Sequence, residues 1–158
     1  MPEPIRLSIM KRLTEEIAAR ADLDGAVFRG RDYFGEENGD PVPMVTIFED
    51  PDAGDDYPVQ TKDGSPSLVS LPLIVVGIDD EDRLNPTDNA TLLLYRVKDA
   101  FRTIKADGRR RRGLSEYLGI PEVDRIEVGR GHVRPAYADG FTHVASFRLP
   151  VTVVYAED

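Results

Sequence analysis

The sequence predicts an α+β domain: a mostly antiparallel sheet packed by two main helices, in the order α-β-β-β-α-β-β, closing on a long C-terminal hairpin. Three observations carry this. Ile5, Ile9, Leu13 and Ile17 recur every four residues, the stripe of an amphipathic helix. A helical period returns at Leu93, Val97, Ala100, Phe101 and Ile104. Toward the C-terminus the period drops to two. Phe141, His143, Ala145, Phe147, Leu149, Val151, Val153 and Tyr155 alternate there with Thr142, Ser146, Arg148 and Thr152, as in a strand with one buried face. Helices and strands come in runs rather than in strict alternation, which favours α+β over a parallel α/β sheet.

Taken in order, the first helix covers about residues 4–21, with Met10 and Ala18 beside its stripe and Arg6, Lys11, Arg12, Glu15, Glu16 and Arg20 elsewhere. Asp24-Gly25 is read as its end, and 26–30 (AVFRG) as a short strand. Turn chemistry over 35–43 (GEENGDPVP) leads into the β-branched and aromatic strand 44–48 (MVTIF). Residues 49–66 hold three prolines and two glycines with no helical or strand period, and a loop that long in a compact domain is usually functional or disordered. The apolar run 67–78 (SLVSLPLIVVGI) reads as a strand; Pro72 within it points to a sheet edge or a bulge. After an acidic turn over 79–84, Asn85-Pro86-Thr87-Asp88 reads as a helix start. Asn85 caps, Pro86 takes the first helical position, and Asp88 faces the exposed amides. The second helix runs to about Ala106, where Asp107-Gly108 is expected to stop it, and 114–118 could add one further turn. The hairpin's first arm, 123–134, is interrupted at Gly129-Arg130-Gly131, which suggests a bulge or sharp bend. Ala138-Asp139-Gly140 supplies the hairpin turn.

At 158 residues, 41% hydrophobic, the chain has material for one core, and no repeat or linker divides it. Cysteine is absent, which excludes a disulfide scaffold, a cysteine nucleophile, an iron–sulfur cluster and a thiolate zinc site. The apolar stretch over residues 73–77 is far below the roughly 20 residues that span a bilayer. Met1-Pro2-Glu3-Pro4 lacks the basic start and apolar run of a signal peptide. A soluble protein made inside the cell is the expectation. The net charge of −9 is uneven: residues 32–88 carry fifteen acidic and two basic side chains, whereas 89–158 carry twelve basic and nine acidic. Such a chain is a poor general binder of nucleic acid. An acidic face and a mildly basic one suit head-to-tail contact between copies, although acidic loops often serve only solubility.

No catalytic signature is present. There is no Gly-x-Ser-x-Gly elbow, phosphate-binding lysine loop or His-Glu-x-x-His. Gly129-Arg130-Gly131-His132 begins like a dinucleotide fingerprint, but the last required glycine is missing and the stretch sits within a strand. His132 and His143 are placed as cross-strand neighbours that could hold a metal or relay a proton; with no carboxylate fixed beside both, polar residues of a long sheet is the preferred reading. Asp50, Asp52, Asp55 and Asp56 offer hard oxygens, yet the loop lacks the glycine and glutamate of a calcium-binding EF-hand. Catalytic, cofactor and metal residues are therefore expected to be none. Arg109, Arg110, Arg111 and Arg112 follow the second helix, where cations favour the dipole, and are a candidate interface for phosphate or an acidic partner, or else a solvated turn.

The layout resembles the tail-terminator (tail-completion, minor tail U-like) proteins of long-tailed bacteriophages. The resemblance lies in the N-terminal helix over 5–20, in Ala26-Val27-Phe28-Arg29-Gly30-Arg31 leading through Phe34-Gly35 and Asp40-Pro41 to Pro43-Met44-Val45-Thr46-Ile47, in the helix opening Asn85-Pro86-Thr87, and in the closing hairpin. It implies a non-enzymatic virion protein, assembled in the host cytoplasm, that forms a hexameric ring at the neck end of the tail. That ring would cap the tail tube, end its polymerisation and present a surface to the head–tail connector. Implied partners are copies of itself, the tail tube protein and the connector, with DNA only as passing cargo and no membrane. Other neck or head–tail joining proteins, and a small α+β enzyme or ligand-binding domain, are the alternatives. The loop carrying Asp50, Asp52, Asp55 and Asp56 would line the lumen, where acid repels passing phosphates, or join the next protein in the stack. With little apolar face to bury, it is expected to be mobile in an isolated subunit.

Overall fold

A computed structural model describes residues 2–31, 39–53, 67–109, 117–136 and 144–157. The chain forms α1 (Ile5–Arg20), β1 (Val27–Arg29), β2 (Met44–Glu49), β3 (Ser67–Asp80), α2 (Asp88–Arg109), β4 (Val123–Val128), β5 (His132–Arg134) and β6 (Val144–Glu157), with one 3-10 turn at Tyr117–Gly119. The fold is α+β as expected, with the hairpin's first arm divided into β4 and β5. Both pair antiparallel with β6, and Gly129-Arg130-Gly131 forms the break between them.

The sheet runs β1-β2-β3-β6-β4, with β5 beside β6. Its axis is the β3–β6 ladder, paired without interruption from Ser67↔Glu157 to Asp80↔Val144. Residues opposite one another share a face. Leu71, Leu73 and Val75 therefore lie on one face with Val153, Val151 and Leu149. These join Ile9, Leu13 and Ile17 of α1 and Leu93, Val97 and Phe101 of α2 in a single buried core. Phe147 is fully buried and its ring lies across Gly77, where a Cβ would sit 2.2 Å from a ring carbon. The alternation expected along the last strand is only partial. Val144, Ser146 and Val154, on the opposite face, are buried too. Thr46 of β2 is fully buried as well, and its Oγ1 donates to the Arg31 carbonyl at 2.8 Å.

Four local expectations change. α1 ends at Ala21, within the expected bounds of 4–21, but the stop is made at Asp22 rather than at Asp24-Gly25: Asp22 adopts φ 56°, and the Leu23 N–H reaches back to the Ala18 carbonyl at 2.8 Å, a left-handed cap. Pro72 lies on the central strand β3, opposite Thr152. A residue's N–H and C=O point to the same side of a strand, and the Pro72 carbonyl accepts from Asp50 N–H at 3.0 Å, just past the end of β2. The missing N–H thus falls where the ladder has already stopped, so the edge is local. The second helix starts at Asp88, two residues beyond Pro86. It also runs through Gly108 to Arg109; Gly108 is where the Tyr117 ring packs, and an added Cβ would lie 2.2 Å from that ring.

Candidate functional site

Most of the residues singled out by sequence fall at element ends or outside the described residues. Arg109 closes α2, whereas Arg110, Arg111 and Arg112 lie outside the described residues, as do Asp55, Asp56 and His143. Asp50 and Asp52 form a local turn in which Asp50 Oδ1 accepts from the Asp52 N–H at 2.9 Å. His132 is exposed, and its partner across the ladder is Arg148, not His143. The proposed histidine pairing is therefore corrected. Among the described residues no three His, Asp or Glu side chains gather as a metal site would need, and no helix is long and apolar enough to cross a membrane.

The described residues of 26–31 and 39–47 are tied to one another. β1 runs parallel to β2, with Phe28 opposite Thr46. The Arg31 guanidinium lies 4.3 Å from the centroid of the Phe28 ring, a cation–π contact. It also pairs with Asp40, whose side chain is only 7% exposed. Arg31 Nε is buried and finds no hydrogen-bond partner among the described residues. Phe28, Arg31, Asp40 and Thr46 thus clamp the connection between the two parallel strands. The local chemistry is structural.

Two clefts are likewise explained by the fold. Between α1 and α2 a polar cleft of about 240 Å³ holds Arg12, Glu16, Arg20 and Asp107. These charges are paired with one another, Arg20 bridging Glu16 and Asp107 at 2.8 Å each. Arg12 Nε also donates to the Leu118 carbonyl at 3.1 Å. A second cleft of about 520 Å³, at the β1 edge, is lined by Leu7, Met10 and Phe48, with Glu49 at its rim ion-paired to Arg6.

A third cavity, about 610 Å³, is a groove between the outer flank of α2 and the end of β4. Its floor is Phe101, Ala106, Val128 and Gly129, and its walls are Tyr95, Lys98, Asp99, Arg102 and Lys105. Lys98 Nζ lies 5.4 Å from the Tyr95 ring centroid and donates to the Arg130 carbonyl at 3.3 Å. Asp99 accepts from Arg102 Nε and Nη2 at 2.9 and 2.6 Å. Three cations against one carboxylate leave the groove basic. The opposite end of α2 is acidic. Asp79, Asp80, Glu81 and Asp82 stand there against Arg83, with Arg96 acting on Asp79 and Asp88 on the first helical turn. The turn is built by its own carboxylates: Asp82 Oδ1 accepts from the Leu84 and Asn85 N–H groups at 2.9 and 3.3 Å, and Glu81 Oε1 accepts from Ala136 N–H at 3.1 Å. Burial pushes the Asp79 carboxyl above its usual range and the Asp80 charge adds to the rise, while the Asp80 N–H and Arg96 oppose it.

Sequence reasoning missed this pair of surfaces. Leu84, Leu92 and Tyr95 are 85%, 65% and 61% exposed. The readable signal was that Leu92 and Tyr95 lie off the Leu93–Val97–Phe101 stripe, on what should be the polar flank of an amphipathic helix. No protein-family model matches the chain, and no curated protein sequence matches it.

Proposed function

We propose that this protein is a structural ring subunit of the phage tail-terminator type, which caps the tail tube, ends its polymerisation and offers a surface for head attachment. The observation that carries the reading is the resemblance over 26–47. Its scattered residues Phe28, Arg31, Asp40 and Thr46 act together as the clamp between β1 and β2. Two unlike surfaces at the two ends of α2 support it further, since a subunit that meets its neighbours head to tail needs two complementary patches rather than one self-complementary patch.

The role requires assembly, not turnover. Native mass measurement and sedimentation of the purified protein test it: a closed species of about six copies is expected, because head-to-tail contacts that close by rotation form rings. A strict monomer at high protein concentration overturns the reading. Binding of the ring to the end of a purified tail tube separates a terminator from other neck or head–tail joining proteins.

A further inference from the structure

We propose that the acidic turn over residues 81–84 of one copy docks into the basic groove between α2 and β4 of a second copy, with Leu84 entering its apolar floor. The inference deepens the ring reading and rests on it. Three observations converge. The groove is large enough for an aliphatic side chain and is floored by Phe101, Ala106, Val128 and Gly129. Leu84 is the most exposed large apolar side chain described, at 85%. It is also held out in a defined place, because the Asp82 carboxylate fastens the Leu84 and Asn85 amides beneath it. A preorganised apolar knob loses little conformational freedom on binding.

Charge selects the same partner. The knob is flanked by Asp79, Asp80, Glu81 and Asp82 against Arg83 and Arg96, which still leaves it acidic, and the groove by Lys98, Arg102 and Lys105 against Asp99. Opposite potentials steer encounter and fix register, and like-charged pairings are penalised. The two surfaces cannot meet within one copy. Asp88 and Arg102 lie on the same helix, separated by about 20 Å at 1.5 Å per residue. The contact is therefore between copies and joins two different patches, which builds a ring when it repeats head to tail and closes by rotation.

The test compares the masses of wild-type and variant proteins over a concentration series. Leu84→Ser should weaken association by about thirtyfold, the effect of removing a central anchor. The joint change Lys98→Glu and Lys105→Glu should do the same. Adding Asp80→Lys to the latter should restore part of the loss. Mixing the Leu84→Ser protein with the Lys98→Glu, Lys105→Glu protein should give a one-to-one pair, since one intact knob then finds one intact groove. Unchanged thermal unfolding of each variant as a monomer shows that its fold is intact. If the wild type assembles and Leu84→Ser assembles equally well, the docking contact is overturned while the ring reading stands. If the wild type forms only a two-fold dimer that Leu84→Ser breaks, the contact stands and the ring is overturned. A wild type that stays monomeric overturns both.

Discussion

Gly108 shows how one residue reverses a general rule. Inside a helix alanine is favoured over glycine by about 1 kcal/mol, so Gly108→Ala would ordinarily stabilise α2. Here the new Cβ would lie 2.2 Å from the ring of Tyr117, itself only 7% exposed. Moving a buried ring costs about 1–3 kcal/mol, and the substitution should lower the urea midpoint. Replacing Tyr117 by Leu in the same chain should recover part of the alanine's helix preference. Asp79 gives a prediction in pH. Its carboxyl titrates above the unfolded value because burial disfavours the charge. Folding therefore gains as pH falls through the raised folded value toward the unfolded value, and that gain is lost again as pH rises. Asp79→Asn keeps an oxygen for the Asp80 N–H and carries no charge, so it should stabilise the protein at neutral pH. Its advantage should shrink toward about pH 3, and urea melts at the two pH values measure the difference.

At the scale of elements, the two helices are held by a side chain that caps one from the other. Arg96 Nη2 of α2 donates to the Ala21 and Asp22 carbonyls at the end of α1, at 2.5 and 3.1 Å. Arg96→Met keeps the aliphatic stem and removes both bonds. Because water can reach these carbonyls, the loss should be about 1 kcal/mol, read from chemical denaturation. Which elements the sequence disclosed follows the same logic. The stripes of α1 and α2 and the long last strand were legible because each buries a regular face, and burial is what writes a period into a sequence. Gly108 and Pro72 were misread because their meaning is set by partners far along the chain: the Tyr117 ring for one, the point where β2 ends for the other. The groove was not legible for a similar reason. Its floor joins Phe101 and Ala106 to Val128 and Gly129, and only the packing of β4 against α2 brings them together. The histidine pairing failed on register, since the β5–β6 ladder sets Arg148 opposite His132.

At the scale of the whole molecule, the proposed assembly rests on many contacts that are weak singly, about 0–1 kcal/mol for each exposed pair, so it should loosen with salt. Changing Arg109, Arg110, Arg111 and Arg112 to Ser should weaken assembly, read by native mass, and leave the thermal unfolding of the monomer unchanged. Deleting residues 52–62 should leave folding and ring formation nearly intact and impair attachment to the head; a deletion that unfolds the protein rules out that role for the segment. The β3–β6 ladder carries a consequence of another kind. Its nearest partners, Asp80 and Val144, are 64 residues apart in sequence, and its farthest, Ser67 and Glu157, are 90 apart. No local turn can start such a ladder, so a long loop must close before the central pairing returns any stabilisation. During synthesis β3 leaves the ribosome well before β6 exists, and its edge stays open to other chains for that interval. The kinetics of refolding, rather than the final stability, should therefore limit the yield of native protein, and dilution during refolding should raise it.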